Sequence, residues 1–325
     1  MKLPRRNFLH LAAGAAALPA VSCIAWAQAY PSWPVRIVVG FPPGGGADIT
    51  ARLIGQWLSE RLGQQFVIDN RPGAGTNIAT EAVVRAPPDG YTLLLVSTPN
   101  AVNATLYGKL NFNFIRDIAP VATIYYVPNV MAVHPSFPAK TILEFIAYSK
   151  SNPGKVNIGS GATGGAMHMS GELFKIMAGI DMVHVPYRGA GPALTDLLAG
   201  QVQVSFPTMP ASIDHIRTGK LRALAVTTAT RAEALPDIQT VGEFLPGYEA
   251  STWYGIGAPR NTPAEIIEKL NREINSALAD PRMKVRLAEL GGTILAGSSD
   301  DLGKLIADET EKWGKVIRAA NIKPD

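Results

Sequence analysis

A single cysteine in 325 residues, Cys23, leaves no pair from which a disulfide can form within the chain. Nothing in the fold therefore rests on a crosslink. Several chemical signatures are missing as well. No Gly-rich turn runs on into Gly-Lys-Ser/Thr, which excludes a P-loop, and the G-x-S-x-G elbow of a serine hydrolase is absent. His134, His168, His184 and His215 are not spaced as metal ligands and have no cysteine beside them. No repeat period is present. Charge of one sign is also scarce. The formal +4 includes Lys2, Arg5 and Arg6, and without residues 1–27 it falls to +1. That is no basic footprint for nucleic acid.

Residues 1–27 have the composition of an export signal. Lys2, Arg5 and Arg6 form a basic start, Leu9–Ile24 is mostly apolar and Ala-rich, and Ala25-Trp26-Ala27 is a small-x-small cleavage site. Arg5-Arg6-Asn7-Phe8-Leu9 resembles a twin-arginine signal. Gly14, Pro19 and the polar chain beyond argue against a permanent membrane span. Cys23 follows Ala20-Val21-Ser22, a faint lipoprotein box without its usual leucine, so lipid anchoring there is the lesser alternative. The expected destination is the periplasm. The remaining length suggests two domains, each large enough to bury a core.

What is present is a recurring corner. The strands Val35–Gly40, Val156–Ile158 and Met182–Val185 each end in a Gly-rich turn with a helix directly behind it. Such corners leave the amides of the first helical turn unpaired, with the positive end of the helix dipole behind them. An anion is the natural partner. Around the first corner the pattern predicts helix Ala47–Leu62 with Ile49, Leu53, Trp57 and Leu58 inward, strand Phe66–Ile68, helix Thr76–Arg85 and strand Tyr91–Val96. This alternation is a doubly wound α/β half, whose ligands sit beyond the carboxyl ends of the strands. Those ends are Phe41–Gly46, Arg71–Asn77 and Ser97–Asn103. Val121–Val127 and Val130–Val133, split by Pro128-Asn129, are expected to cross into a second half, and Ser251–Gly257 to cross back. Thr262-Pro263-Ala264-Glu265 has the form of a capping box, and Ser299–Arg318 of a final helix with Leu302, Leu305, Ile306 and Trp313 inward.

The candidate ligand contacts follow from the corners. Phe41, Pro42, Gly44 and Gly45 form the first, and Ser97 and Thr98 carry hydroxyls at a strand end. Ser160, Gly161, Thr163, Gly164 and His168 form the second, and Tyr187, Arg188 and Gly189 the third. Each hydroxyl has a competing role in capping its own turn. Trp253 is expected either to line the pocket or to fill a hinge core. Asp48 is expected to steady its helix rather than touch an anion. Gly159–Gly164 also spells G-x-G-x-x-G, so an exported nicotinamide oxidoreductase was weighed. That reading fails on position, because the ribose-binding acid belongs at the end of the next strand and Asp181 precedes that strand. No cofactor, metal or catalytic residue is expected.

Several segments together resemble the Bug family, the TctC-type extracytoplasmic receptors of tripartite tricarboxylate transporters. They are Val39–Asp48 (VGFPPGGGAD), Asn70–Gly75, Asp89–Leu94, Gly159–His168, Val185–Gly189, Gly219–Val226, Trp253–Gly255 and Asn261–Glu265. The resemblance implies a two-lobed α/β periplasmic-binding-protein fold (Venus flytrap, type II) with two crossover strands. The lobes would be 28–127 with 251–325, and 128–250. It further implies a small carboxylate as ligand, membrane permease subunits as partners and no enzymatic activity. An orphan sensor with the same pocket is the alternative, and a monomer is expected. Many relatives carry an aspartate and asparagine where this chain has Pro207-Thr208-Met209. With Met209 as adaptable apolar surface, an apolar or aromatic acid is favoured.

Overall fold

The computed structural model describes residues 30–324. The expected export signal, Cys23 included, lies outside the described residues. Strand β1 (Val35–Val39) runs parallel between β2 (Phe66–Asn70) and β3 (Thr92–Ser97), with Ile37 level with Ile68 and Leu93. Alternation along these strands feeds two faces, as the pleat requires. Ile37, Val39, Leu93 and Leu95 meet helix α1 (Gly46–Leu62), whereas Val38, Leu94 and Val96 meet α2 (Asn77–Val84).

The inward stripe of α1 is not the one its large residues suggest. Ala47, Thr50, Ala51, Ile54, Gly55 and Leu58 are buried, while Ile49, Leu53 and Trp57 are only half-buried. Gly55 sits directly over Phe66, whose carbonyl would lie 3.3 Å from any Cβ added there. Small residues bring the helix close to the sheet, and the bulky ones are pushed to its flanks.

Helix α3 (Thr98–Leu106) begins where β3 ends, in a stretch expected to be a loop. Its Thr, Pro and Asn are poor helix formers; its sheet-end position and its packing supply what propensity lacks. The short α4 (Phe114–Asp117) leads into β4 (Ile118–Pro128), and the chain crosses at Pro128-Asn129 into β5 (Val130–Val133). The second lobe continues with α5 (Ile142–Ser151), β6 (Asn157–Ser160), α6 (Ala166–Ala178), β7 (Val183–Pro186) and α7 (Ala190–Leu198). Then come β8 (Val204–Ser205), α8 (Met209–Arg217) and β9 (Arg222–Val226). The order is β7-β6-β8-β5-β9, a mixed sheet. β7 is its edge, so His184 is only half-buried.

β10 (Ser251–Pro259) returns to pair antiparallel with both β3 and β4. Helices α9 (Ala264–Ala279) and α10 (Pro281–Glu289), strand β11 (Thr293–Ile294) and helix α11 (Ser299–Ala319) complete the first lobe's layers. Its sheet is β11-β4-β10-β3-β1-β2. The expected capping box at Thr262 does not form. The Thr262 hydroxyl turns back to the Pro259 carbonyl at 2.7 Å, and α9 starts from Pro263. Capping boxes form elsewhere, at Ser97 with Asn100, Thr240 with Glu243 and Ser298 with Asp301.

The two lobes are tied at the crossovers by one buried side chain. Asn129 Oδ1 accepts from Thr252 Oγ1 at 3.1 Å, and Asn129 Nδ2 donates to Ser170 Oγ at 3.2 Å. α11 spans the joint: Leu302 and Ile306 pack in the first lobe, and Trp313, Val316 and Ile317 join the second lobe's core.

Candidate functional site

The three corners of the first lobe form one continuous surface. Asn70 Nδ2 donates to the Phe41 carbonyl at 3.0 Å, and the Arg71 amide to Val39 at 2.8 Å. Gly40 lies so close to Thr76 that a Cβ on it would come within 2.6 Å of the threonine Cβ. The backbone from Gly73 to Thr76 keeps positive φ throughout, 80° at Thr76. A β-branched residue there is strained. Buried amides hold it: Asn100 Nδ2 donates to Thr76 Oγ1 at 3.2 Å and to Thr80 Oγ1 at 2.9 Å.

The Gly44 amide donates to Asp48 Oδ2 at 2.9 Å, and Arg52 Nε reaches the same oxygen at 2.9 Å. Burial pushes the Asp48 carboxyl up, but Arg52, the Gly44 amide and Asn70 outweigh it and hold it below its ordinary value. Asp48 thus braces the turn, as expected. Gly45 is the N-cap of α1 and has no side chain to offer, so the first amides of α1 stay open to a ligand.

In the second lobe two corners lean on each other. The Gly189 amide donates to the Gly161 carbonyl at 2.7 Å, and the Tyr187 amide to Ser160 at 2.8 Å. A Cβ on Gly161 would lie 2.7 Å from the Ala190 nitrogen, so only glycine permits this approach. Behind the corner, the Gly164 amide donates to His168 Nδ1 at 3.1 Å, and the rings of His168 and His184 stack 3.6 Å apart. His184 Nε2 is 2.7 Å from Ser160 Oγ.

The lobes meet at Asn103 on α3. Its Nδ2 donates to the Gly75 carbonyl and to Asn77 Oδ1. Its Oδ1 is 3.4 Å from where a Cβ on Gly75 would lie and 3.9 Å from one on Gly164. Leu106 and Val102 close over Gly164 from the same helix. A corner from each lobe therefore flanks one amide side chain. Asn103 lies in the expected strand end 97–103, where no hydrophobic period marks it in the sequence.

Among the candidate residues, Phe41 is half-buried against the core, and Pro42, Gly44 and Gly45 are exposed. Ser97, Thr98 and Ser160 are fully buried, Thr163 and His168 nearly so. The Ser160 hydroxyl is held locally by His184 and Ala162. Thr98 Oγ1 makes long contacts of 3.4 Å with Ser251 and Trp253. The Tyr187 hydroxyl donates to Asp196 at 2.6 Å; burial and then that carboxylate push its pKa up to about 12. Its ring packs beside Gly159, while Arg188 is exposed and Gly189 half-buried.

One expectation changes, and one open alternative resolves to the core. Met209 is fully buried in the core beside Val127 and Val130, where its Cγ would lie 2.6 Å from a Cβ on Gly291. It starts α8, a helix that its own Pro-Thr-Met-Pro sequence conceals. Trp253 is hinge core: its Nε1 donates to Glu309 at 3.1 Å, beneath α11.

Residues 50–322 match the model of the tripartite tricarboxylate transporter family receptor, TctC. Protein BugT of Bordetella pertussis is 38% identical over 300 residues, spanning 91% of this chain and 92% of its own. Rpa4515 of R. palustris, solved with adipate, superposes with a TM-score of 0.85 at 38% identity, covering 91% of this chain and all of that one. MatC of Rhodopseudomonas palustris, solved with bound malate, gives 0.80 at 32%, covering 89% of this chain and 100% of its own. The chain belongs to the TctC receptor family of tripartite tricarboxylate transporters, two-lobed binding proteins rather than enzymes.

Proposed function

We propose that this protein captures a small dicarboxylate between its lobes in the periplasm and presents it to the permease subunits of a tripartite tricarboxylate transporter. The observation that carries the proposal is the junction at Asn103, whose Nδ2 donates to the Gly75 carbonyl of the first lobe and whose Oδ1 would lie 3.9 Å from a Cβ on Gly164 of the second. Open helix amides at such corners favour a carboxylate without help from a cation, and bridging water serves as well as direct contact. The relatives solved with adipate and malate support the same class. Met209 is in the core and no longer argues for an aromatic acid. We place the lobe boundaries at 127/128 and 250/251, next to Asn129 and Thr252. Closure is then a hinge motion about these crossovers.

A thermal-shift panel of carboxylates tests the assignment. Adipate or malate at about 100 times Kd stabilises the native state by about 2.7 kcal/mol, which raises the melting temperature by several degrees. No shift with any member of the panel would overturn it. Deleting the permease genes and measuring uptake separates transport from a signalling role.

A further inference from the structure

We propose that Tyr254, with Ser97 opposite it, supplies the hydroxyl donors that hold the ligand's carboxylate at the first corner. The inference rests on the carboxylate reading above; it adds Tyr254, which belongs to none of the corners, and gives Ser97 a defined role.

β10 and β3 are antiparallel with Tyr254 directly opposite Ser97, so their side chains share one face of the sheet. That face belongs to α1. Leu93 and Leu95 of β3, with Ile256 and Ala258 of β10, pack there against Ala51 and Ile54. Ser97 and Tyr254 extend the same two columns to the sheet's carboxyl end, under the first turn of α1. A Cβ on Gly46, the first residue of that helix, would lie 3.4 Å from the Tyr254 hydroxyl. Glycine at this position leaves the space between phenol and helix terminus open.

Neither hydroxyl gives its proton to an acceptor among the described residues. Ser97 is fully buried and caps α3, its side chain facing the Asn100 amide while its own amide donates to Asn100 Oδ1 at 2.8 Å, which leaves the Oγ proton without an acceptor. Tyr254 is 6% exposed, and its hydroxyl has no hydrogen bond among the described residues. The neighbouring ring shows the contrast. Tyr125 stacks on Tyr254 with centroids 5.5 Å apart and gives its hydroxyl to Thr50 at 2.8 Å. Native proteins rarely leave a buried hydroxyl without an acceptor, and the Ser97 proton beside the undonated Tyr254 hydroxyl, on one face beneath open amides, marks a place for an acceptor. Burial, and then Tyr125, push the Tyr254 pKa up, so the phenol keeps its proton as a donor. The only acid at the corner, Asp48, is neutralised by Arg52. Two neutral donors and a helix terminus thus suit an anion and disfavour a cation.

Isothermal titration of the exported chain with adipate and with malate tests this. Tyr254→Phe keeps the ring and its stacking. It should raise Kd at least tenfold while the ligand-free melting temperature stays at the wild-type value. Ser97→Ala should weaken binding in the same direction, and it carries the test alone if Tyr254→Phe does not fold. Wild-type affinity in both variants overturns the proposal and leaves the carboxylate reading standing. If the wild type binds neither acid, the dicarboxylate reading falls and this proposal with it.

Discussion

At the scale of single residues, the second-lobe corner is braced from behind by buried side chains. His168 Nδ1 accepts the Gly164 amide, so that nitrogen carries no proton and the ring's N–H lies at Nε2, 3.5 Å from Glu172 Oε1. Lys175 Nζ sits 3.1 Å from the same oxygen. Glu172 is nearly inaccessible, so burial pushes its carboxyl up, but His168 and Lys175 outweigh burial and hold it below its ordinary value. A carboxyl whose pKa is lower in the native state adds stability above its unfolded pKa and loses it as pH falls through the native one. Glu172→Gln should therefore be less stable than wild type at pH 7, with the gap closing as pH drops below the usual carboxylate range. Urea midpoints measured from pH 7 to pH 3 check this. A gap independent of pH would show that the charge of Glu172 contributes nothing.

At the scale of elements, α11 is fastened by one carboxylate that serves two tryptophans. Glu309 accepts from Trp253 Nε1 at 3.1 Å and from Trp313 Nε1 at 2.7 Å, with Lys312 Nζ 2.8 Å away. Glu309→Ala leaves both buried indole N–H groups without an acceptor. At about 1–3 kcal/mol for each orphaned donor, the variant should lose about 2–6 kcal/mol in urea unfolding at an unchanged m-value; a loss under about 0.5 kcal/mol would deny the fastening role. Neither this clasp nor α3 is legible in the sequence, for one reason: both depend on partners far along the chain. Where local signals suffice, they locate the element, as with the β-branched run of β1, the Gly63 stop of α1 and the Pro128-Asn129 crossing. Where packing decides, they mislead. In α1 the bulky residues mark the flanks, and α8 and α10 lie hidden behind prolines at their starts. Period 2 along β10 contains the signal that separates Trp253, which faces α11, from Tyr254, which faces α1. Only the register against Ser97 turns it into a site.

At the scale of the whole molecule, the lobes are engaged through two helices that belong mainly to the first. α3 presses Val102 and Leu106 onto Gly164, and the end of α11 adds Trp313, Val316 and Ile317 to the second lobe's core. The crossovers are two strands wide, with Asn129 and Thr252 bonded between them, a narrow joint of the kind that serves as a hinge. A ligand shifts such an equilibrium only by binding one arrangement better, and in the function proposed above the arrangement in which Gly75 and Gly164 flank Asn103 is the one that encloses it. Gly164 is thus the point at which closure can be blocked at the seam between the lobes. Its φ is +74°, and a Cβ would come within 2.5 Å of Leu106 Cδ2 and 3.3 Å of Val102 Cγ1, both across the lobe boundary. Gly164→Val should wedge the lobes apart. Small-angle scattering of the wild type should show a smaller radius of gyration with saturating adipate than without it. The variant should keep its larger radius at the same adipate concentration and bind at least tenfold more weakly, with far-UV circular dichroism unchanged. A variant that compacts and binds as the wild type does would show that Gly164 is not where the lobes close.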